Sequence, residues 1–410
     1  MSAGRVRAWL LAAALGVAAA PAAQETADPA ALPPVALADL HYGDVLFHFY
    51  QDEYFGAIVR AEAYTAQGHM VPHAEDAELL LGGMYLSFGQ HARAGEIFER
   101  LLGRPDTPPA VRDRAWFHLG RVLYARSYFE ESERALRRAG AALPPALDAE
   151  RRLLIAQGLM YRGRYDEAVA ELSGWSGPAS WTAYGRFNLG VALVRAGRLE
   201  DGLALLGSVG AMDAAGEEMK ALRDKANVAA AYAMLQAGRP AAARDVLGRV
   251  RLSGPQSSKA LLGAGWADVA LERYSEALAP WLELQGRSLL DAAVQESYLA
   301  VPYAYAKLDA EGQAAELYDR AILAYEAERA RLDESIAAIR DGRMLEAVLA
   351  ADREEGQGWF WQLATLPDAA ESRYLYHLLA GHEFQEALKN YRALDFLGRN
   401  LAGWRDSLDV

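Results

Sequence analysis

The stretches Arg162-Gly-Arg-Tyr-Asp-Glu-Ala168 and Arg195-Ala-Gly-Arg-Leu-Glu-Asp201 share one form, a Gly-Arg turn followed by an acidic start to the next segment. Gln236-Ala-Gly-Arg-Pro240 and Glu272-Arg-Tyr-Ser-Glu-Ala277 are variants of it. Glycine after a helical run ends a helix, and acidic residues just beyond it favour the N-terminus of another. Taking the small residue after each turn as an anchor gives Ala57, Ala94, Ser132, Ala168, Gly202, Ala243, Ala277, Ala314 and Ala387. The intervals are 37, 38, 36, 34, 41, 34, 37 and 73, with a mean near 37 from Ala57 to Ala314. That is the period of a helix-turn-helix solenoid.

Two further positions fix the register. Twelve residues before the anchors stand Val45, Gly82, Gly120, Ala156, Gly190, Ala231, Gly265, Pro302 and Leu375, six of them Gly or Ala. A small residue there lets the two helices of a hairpin approach closely. Four residues after the anchors stand Ala61, Phe98, Leu136, Leu172, Leu206, Leu247, Trp281, Tyr318 and Tyr391, eight of them large and apolar, as knobs of a helix–helix contact. Pro144 and Pro255 follow their anchors by twelve residues, where a second helix has to stop.

The composition sets outer limits. In 410 residues, 42 Lys+Arg stand against 55 Asp+Glu, a formal net charge of -13, with 52% hydrophobic and 24% charged residues. This is a folded chain rather than a disordered one, and its acidity argues against a nucleic-acid binder. The absence of cysteine excludes disulfides, thiolate zinc sites, a Cys nucleophile and a lipidated N-terminal Cys. At the N-terminus, Arg5 and Arg7 precede an apolar run from Ala8 to Ala20, and Ala20-Pro21-Ala22 fits a cleavage site. Residues 1–22 read as a cleaved secretory signal peptide, because the run falls short of the ~20 residues that span a bilayer. The expected location is the periplasm, with a place beside a membrane complex left open and no transmembrane segment after cleavage. Residues 23–38 are rich in Ala and Pro and read as a flexible lead-in.

Trp116-Phe-His-Leu119-Gly120, followed by Ser132, Leu136, Ala139 and Pro144, resembles the tetratricopeptide repeat superfamily. The resemblance covers roughly residues 40–330 and again 370–395, with most units degenerate. It implies an all-α, right-handed helical-hairpin solenoid whose first helices line a concave groove. It also implies protein–protein interaction, no chemistry and no cofactor. Carried onto this chain, the groove positions include Tyr42, Phe49, Tyr50, Phe117, Tyr124, Tyr161, Tyr184, Phe187, Tyr232, Trp266, Tyr303 and Tyr376. Of these, Tyr124, Tyr161, Tyr184, Phe187, Tyr232 and Trp266 are the candidate partner contacts, since aromatic faces give large contact area at low entropy cost. The competing reading is that such stripes pack between repeats. Arg114, Arg121, Arg195, Lys225, Lys259 and Lys307 are interleaved with them. An extended peptide or envelope protein, or alternatively a glycan, would suit an aromatic groove.

The repeat array is expected over residues 39–310, and a long helix, a remodelled repeat and a C-terminal cap over 311–410. From Gln313 to Asp341, Tyr318, Ile322, Tyr325, Arg329, Leu332, Ile336 and Ile339 follow a heptad spacing, as in a helix lying along a neighbour. Trp359-Phe-Trp361 is a further partner-contact candidate, since three adjacent aromatics cannot all face one core. Phe384 to Leu408 reads as an amphipathic cap for the last apolar face.

Catalytic and metal readings are weak. His69 and His73 are separated by Pro72, which breaks the helical face a metal pair needs. No phosphate loop, Ser elbow or zinc-protease helix is present. Gln295-Glu296-Ser297 and Glu371-Ser372 offer the Glu-Ser dipeptide of periplasmic lytic transglycosylases, which in some cases carry a helical superhelix. Neither is followed by a Gly-Leu-Met-Gln run, and no length remains for a lysozyme-like domain. A non-enzymatic scaffold of an envelope assembly, transport or secretion system is the primary expectation. The alternative is a solenoid that binds peptidoglycan or an exported polysaccharide.

Overall fold

The computed structural model describes residues 38–51, 53–87, 90–175, 177–350, 372–379 and 382–408. Helix makes up 80% of the described residues, and no strand occurs among them. The helices alternate as first and second members of hairpins. They are α1 (Leu40–Tyr50), α2 (Tyr54–Ala66), α3 (Ala74–Ser87), α4 (His91–Leu102), α5 (Pro109–Ala125), α6 (Phe129–Arg138), α7 (Pro145–Tyr161) and α8 (Tyr165–Leu172). There follow α9 (Ala179–Arg195), α10 (Leu199–Gly210), α11 (Gly216–Gln236), α12 (Pro240–Leu247), α13 (Ser257–Ala270), α14 (Tyr274–Gln285) and α15 (Ala292–Lys307). The last four are α16 (Glu311–Arg340), α17 (Arg343–Ala350), α18 (Ser372–Leu379) and α19 (His382–Leu408). Proline opens α5, α7 and α12, where its missing N–H has no intrahelical partner to lose.

The turns within the hairpins are built alike. The residue five before the anchor takes a left-handed conformation in six hairpins: Ser127, Gly163, Gly197, Gly238, Glu272 and Asp309. In each, the N–H of the next residue bonds back across the helix end, as Arg164 N to Leu159 O and Arg273 N to Asp268 O, both 2.9 Å. Three of the six positions therefore carry a side chain where glycine is the unstrained choice, a cost of about 1–2 kcal/mol each. Glu272→Gly is expected to raise stability by up to ~1 kcal/mol after the chain-entropy cost of glycine, measurable as a higher melting temperature. A lower one would place the strain elsewhere.

Two compact units result. One comprises Leu123–Arg137 and Leu143–Glu328. Its core advances hairpin by hairpin: Val228, Tyr232, Ala243, Leu247, Ala260 and Ala264 join α11, α12 and α13, and Leu262, Trp281, Leu284, Val294 and Val301 join α13, α14 and α15. Each first helix thus covers the preceding hairpin and opens the next. A Cβ built on Gly190 meets Leu206 at 2.9 Å, and one on Gly265 meets Trp281 Nε1 at 2.2 Å. The second unit comprises the described residues up to Val122, Arg138–Ala142 and those from Arg329 onward. There Gly82 faces Phe98 in the same way, at 2.6 Å.

The anchors Ala57, Ala94, Ser132, Ala168, Gly202, Ala243, Ala277 and Ala314 are all buried. The ninth, Ala387, is exposed, while its neighbour Leu388 is buried with Met344 and Leu379, so the register there is displaced by one residue. Tyr318 is likewise 39% exposed rather than inside its hairpin, because Leu317 packs on the core in its place. The long helix is continuous over 30 residues. Its heptad line is not a buried seam: Ile322, Leu332 and Ile339 are exposed, and the small residues Ala314, Ala321, Ser335 and Ala338 are the buried ones. His69 and His73 go to separate partners, His69 stacking on His41 at 4.0 Å and His73 on Tyr42 at 4.7 Å. No described helix is long and apolar enough to cross a membrane.

Candidate functional site

The unit of Leu123–Arg137 and Leu143–Glu328 presents two groups of aromatic and polar side chains. The earlier one centres on Phe129, at the start of α6. The Tyr161 ring stacks on it at 4.8 Å and 8°, and the Tyr124 ring meets it edge-on at 5.3 Å. The Tyr124 hydroxyl donates to Gln157 Oε1 at 3.0 Å, and burial pushes its pKa up. Tyr161, by contrast, is 58% exposed although its ring stacks on Phe129.

The later group spans α13 and α15. The Trp266 indole donates to Glu296 Oε1 at 2.6 Å and meets Trp281 edge-on at 5.0 Å, with Tyr303 at 6.2 Å. Lys307 lies 5.7 Å over the Tyr303 ring. Burial raises the pKa of Glu296, and the bond from Trp266 partly offsets this. On α11, burial and then the like charge of Lys259 lower the pKa of Lys225, whose ammonium sits 5.6 Å from the Phe187 ring. Lys225, Lys259, Trp266, Glu296 and Tyr303 are all half-buried.

Three candidate contacts turn inward. Phe187 is fully buried, Tyr184 is 4% exposed with its hydroxyl on Glu218, and Tyr232 is 4% exposed with its hydroxyl donating to the Lys259 carbonyl at 2.9 Å. As placed, their rings pack the core, and Phe187 offers no surface to a ligand. Of the remaining groove positions, Tyr42 and Phe117 are buried and Tyr50 is exposed. Trp359 and Trp361 lie outside the described residues.

The repeat register carried the distinction between inward and outward positions. Fifteen residues before the anchors from Ser132 to Ala314 stand Phe117, Leu153, Phe187, Val228, Leu262 and Leu299, all buried except Leu299, which is 51% exposed. Seven before stand Tyr161, Arg195, Gln236 and Lys307, a largely polar line, and eighteen before stand Tyr184, Lys225, Lys259 and Glu296. Reading aromatics alone mixed these lines and passed over Phe129, Gln157 and Glu218. Glu296 stood out in the sequence only as part of the Glu296-Ser297 dipeptide.

Comparison with known proteins bears on the fold. No family model matches the chain, and no curated protein matches it. Among solved structures, the apo form of RapI is similar over 88% of this chain and 98% of its own, with a TM-score of 0.51 and 12% identity. MamA (MSR-1, C2) is similar over 44% of this chain and 99% of its own, with a TM-score of 0.35 and 20% identity. The Naa15/Naa10 complex bound to HypK-THB is similar over 88% and 52%, with a TM-score of 0.39 and 15% identity. At 12% identity, the likeness to RapI is one of fold.

Proposed function

Because the chain has the fold of the tetratricopeptide repeat superfamily, we propose that it is a binding protein which holds an extended segment of a protein partner along its first helices. The observation that carries the reading is the half-buried line Lys225, Lys259 and Glu296 beside Trp266 and Tyr303, on three successive first helices. Core positions in these repeats are buried and predominantly apolar. A line that keeps two ammonium groups, a carboxyl and two aromatic rings half-exposed provides charge and π-face readout along an extended chain. Tyr161 adds an aromatic face two hairpins earlier.

The setting we propose is the periplasm, reached through cleavage after Ala22, with the partner a component of a cell-envelope assembly, transport or secretion system. The chain acts there as scaffold or adaptor rather than as an enzyme. Cell fractionation with N-terminal sequencing of the mature protein tests the compartment; a cytoplasmic chain that retains Met1 would remove it. Crosslinking pull-down from the periplasm, with identification of the captured species, tests the partner. A defined envelope protein in stoichiometric yield is expected. Carbohydrate without stoichiometric protein would replace the adaptor by a glycan-binding solenoid.

A further inference from the structure

Among the described side chains of helix α19, the apolar ones lie on two faces, of which one is covered and the other exposed. Phe384 and Leu388 pack against Met344 and Leu379. On the C-terminal half of the same helix, Tyr391, Leu394, Leu401 and Trp404 are 46%, 70%, 59% and 65% exposed. At 3.6 residues per turn, Leu394, Leu401 and Trp404 lie about 120–160° around the axis from Leu388, so they are not the fringe of the buried face. Single exposed apolar residues are ordinary, whereas a contiguous stripe containing tryptophan and tyrosine marks a contact surface.

The stripe is symmetric about its own centre. Tyr391 and Trp404 are equidistant from the point between Leu397 and Gly398, and so are Leu394 and Leu401. An antiparallel copy of the helix crossing at that point sets Tyr391 against Trp404 and Leu394 against Leu401, in both directions at once. This is the self-complementarity an isologous interface requires. The same register sets position 389, a Lys, against position 406, an Asp, and Asp395 against Asn400. Gly398, at the crossing, has nothing within 4 Å of a Cβ built on it, which leaves room for close approach.

The charge balance and the area favour a protein over a lipid surface. His382–Leu408 contains four acidic residues (Glu383, Glu386, Asp395, Asp406) and four basic ones (Lys389, Arg392, Arg399, Arg405). A helix that lies on anionic membrane is instead rich in Lys and Arg on its polar face. The four stripe side chains expose on the order of 500 Å² per copy, so covering them in a pair buries ~1,000 Å², the lower bound of a specific interface.

We infer that the chain forms a two-fold symmetric dimer through antiparallel pairing of α19, with Tyr391, Leu394, Leu401 and Trp404 as its apolar centre. The dimer does not depend on what the first helices of the repeats bind.

The native chain has no cysteine, so single engineered cysteines report the pairing without background. In the chain lacking residues 1–22, oxidised Gly398→Cys is expected to crosslink to itself, since the two sites are offset by about 1.5 Å along the axis. Trp404→Cys is not, since its two copies are ~20 Å apart along the axis, but it is expected to crosslink with Tyr391→Cys when the two variants are mixed. Sedimentation equilibrium is expected to show a dimer, and Leu401→Glu a monomer with an unchanged circular dichroism spectrum. A wild-type chain that stays monomeric at ~100 µM overturns the proposal, whether or not it binds phosphatidylglycerol vesicles. So does a dimer that survives Leu401→Glu, or Trp404→Cys that crosslinks to itself, which indicates parallel pairing.

Discussion

Trp281→Ala is expected to destabilise the hairpin α13/α14 by about 3–5 kcal/mol, the cost of removing a fully buried aromatic side chain. Trp281 fills the space opposite Gly265, and its indole N–H donates to the Leu262 carbonyl at 3.2 Å. Because repeats contact mainly their neighbours, the loss should be local. Amide hydrogen exchange is expected to accelerate across α13, α14 and α15 and to change little in α9 and α10. A double substitution sharpens the test. Gly265→Ala alone drives a methyl into the indole, a clash worth about 1–3 kcal/mol. Adding Trp281→Leu recreates the Ala–Leu combination that Ala156 with Leu172 and Ala231 with Leu247 supply at the same register. The double variant should then be more stable than the two single effects predict. Strict additivity would show that the two residues do not share one space.

Acid is expected to weaken the unit that contains His118, with this side chain as a principal cause. Its ring stacks on Phe98 at 5.3 Å, and its buried Nδ1 has no hydrogen-bond partner among the described residues. Burial, and then the guanidinium charges of Arg121 and Arg114, hold its pKa down at about 3 against an ordinary 6.5. The folded pKa lies below the unfolded one, so the unfolded chain takes up the proton first as pH falls. Stability is therefore full above about pH 6.5 and declines toward pH 3 at up to ~1.4 kcal/mol per unit. Between pH 7 and 4.5 the loss should approach 2–3 kcal/mol, and His118→Phe should remove that part of the slope. Denaturant titrations of both proteins across this range measure it. Parallel pH profiles would mean that His118 reaches solvent and titrates normally.

The period was legible because one physical requirement recurs: a small residue wherever two helices of a hairpin must touch. That requirement places Ala94, Ala168, Ala243 and Ala277 and pairs Gly82 with Phe98 and Gly265 with Trp281. Where it relaxes, the register fails, as at Ala387 and Tyr318, where the neighbouring residues Leu388 and Leu317 carry the packing. The turns at Ser127, Glu272 and Asp309 were harder to see, because tertiary packing imposes the left-handed conformation without the glycine that announces it. Inward and outward aromatics were confounded for a different reason. Phe187 and Tyr161 both belong to first helices, and only their distances from the anchor, fifteen residues and seven, assign one to the core and the other to the surface. The Trp266–Glu296 bond joins residues thirty apart, in successive repeats, and no local pattern encodes it.

The central claim is that the partner lies along the first helices of the repeats. It is tested most directly by placing a photoreactive amino acid, in living cells, at residues 161, 266 and 303 on first helices and at the exposed second-helix positions Ala204, Gly207 and Ala241. The account predicts one discrete adduct of the same mass from the first-helix sites and none from the second-helix sites. Adducts confined to positions 204, 207 and 241 would contradict it, and would move the binding surface to the opposite side of the hairpins.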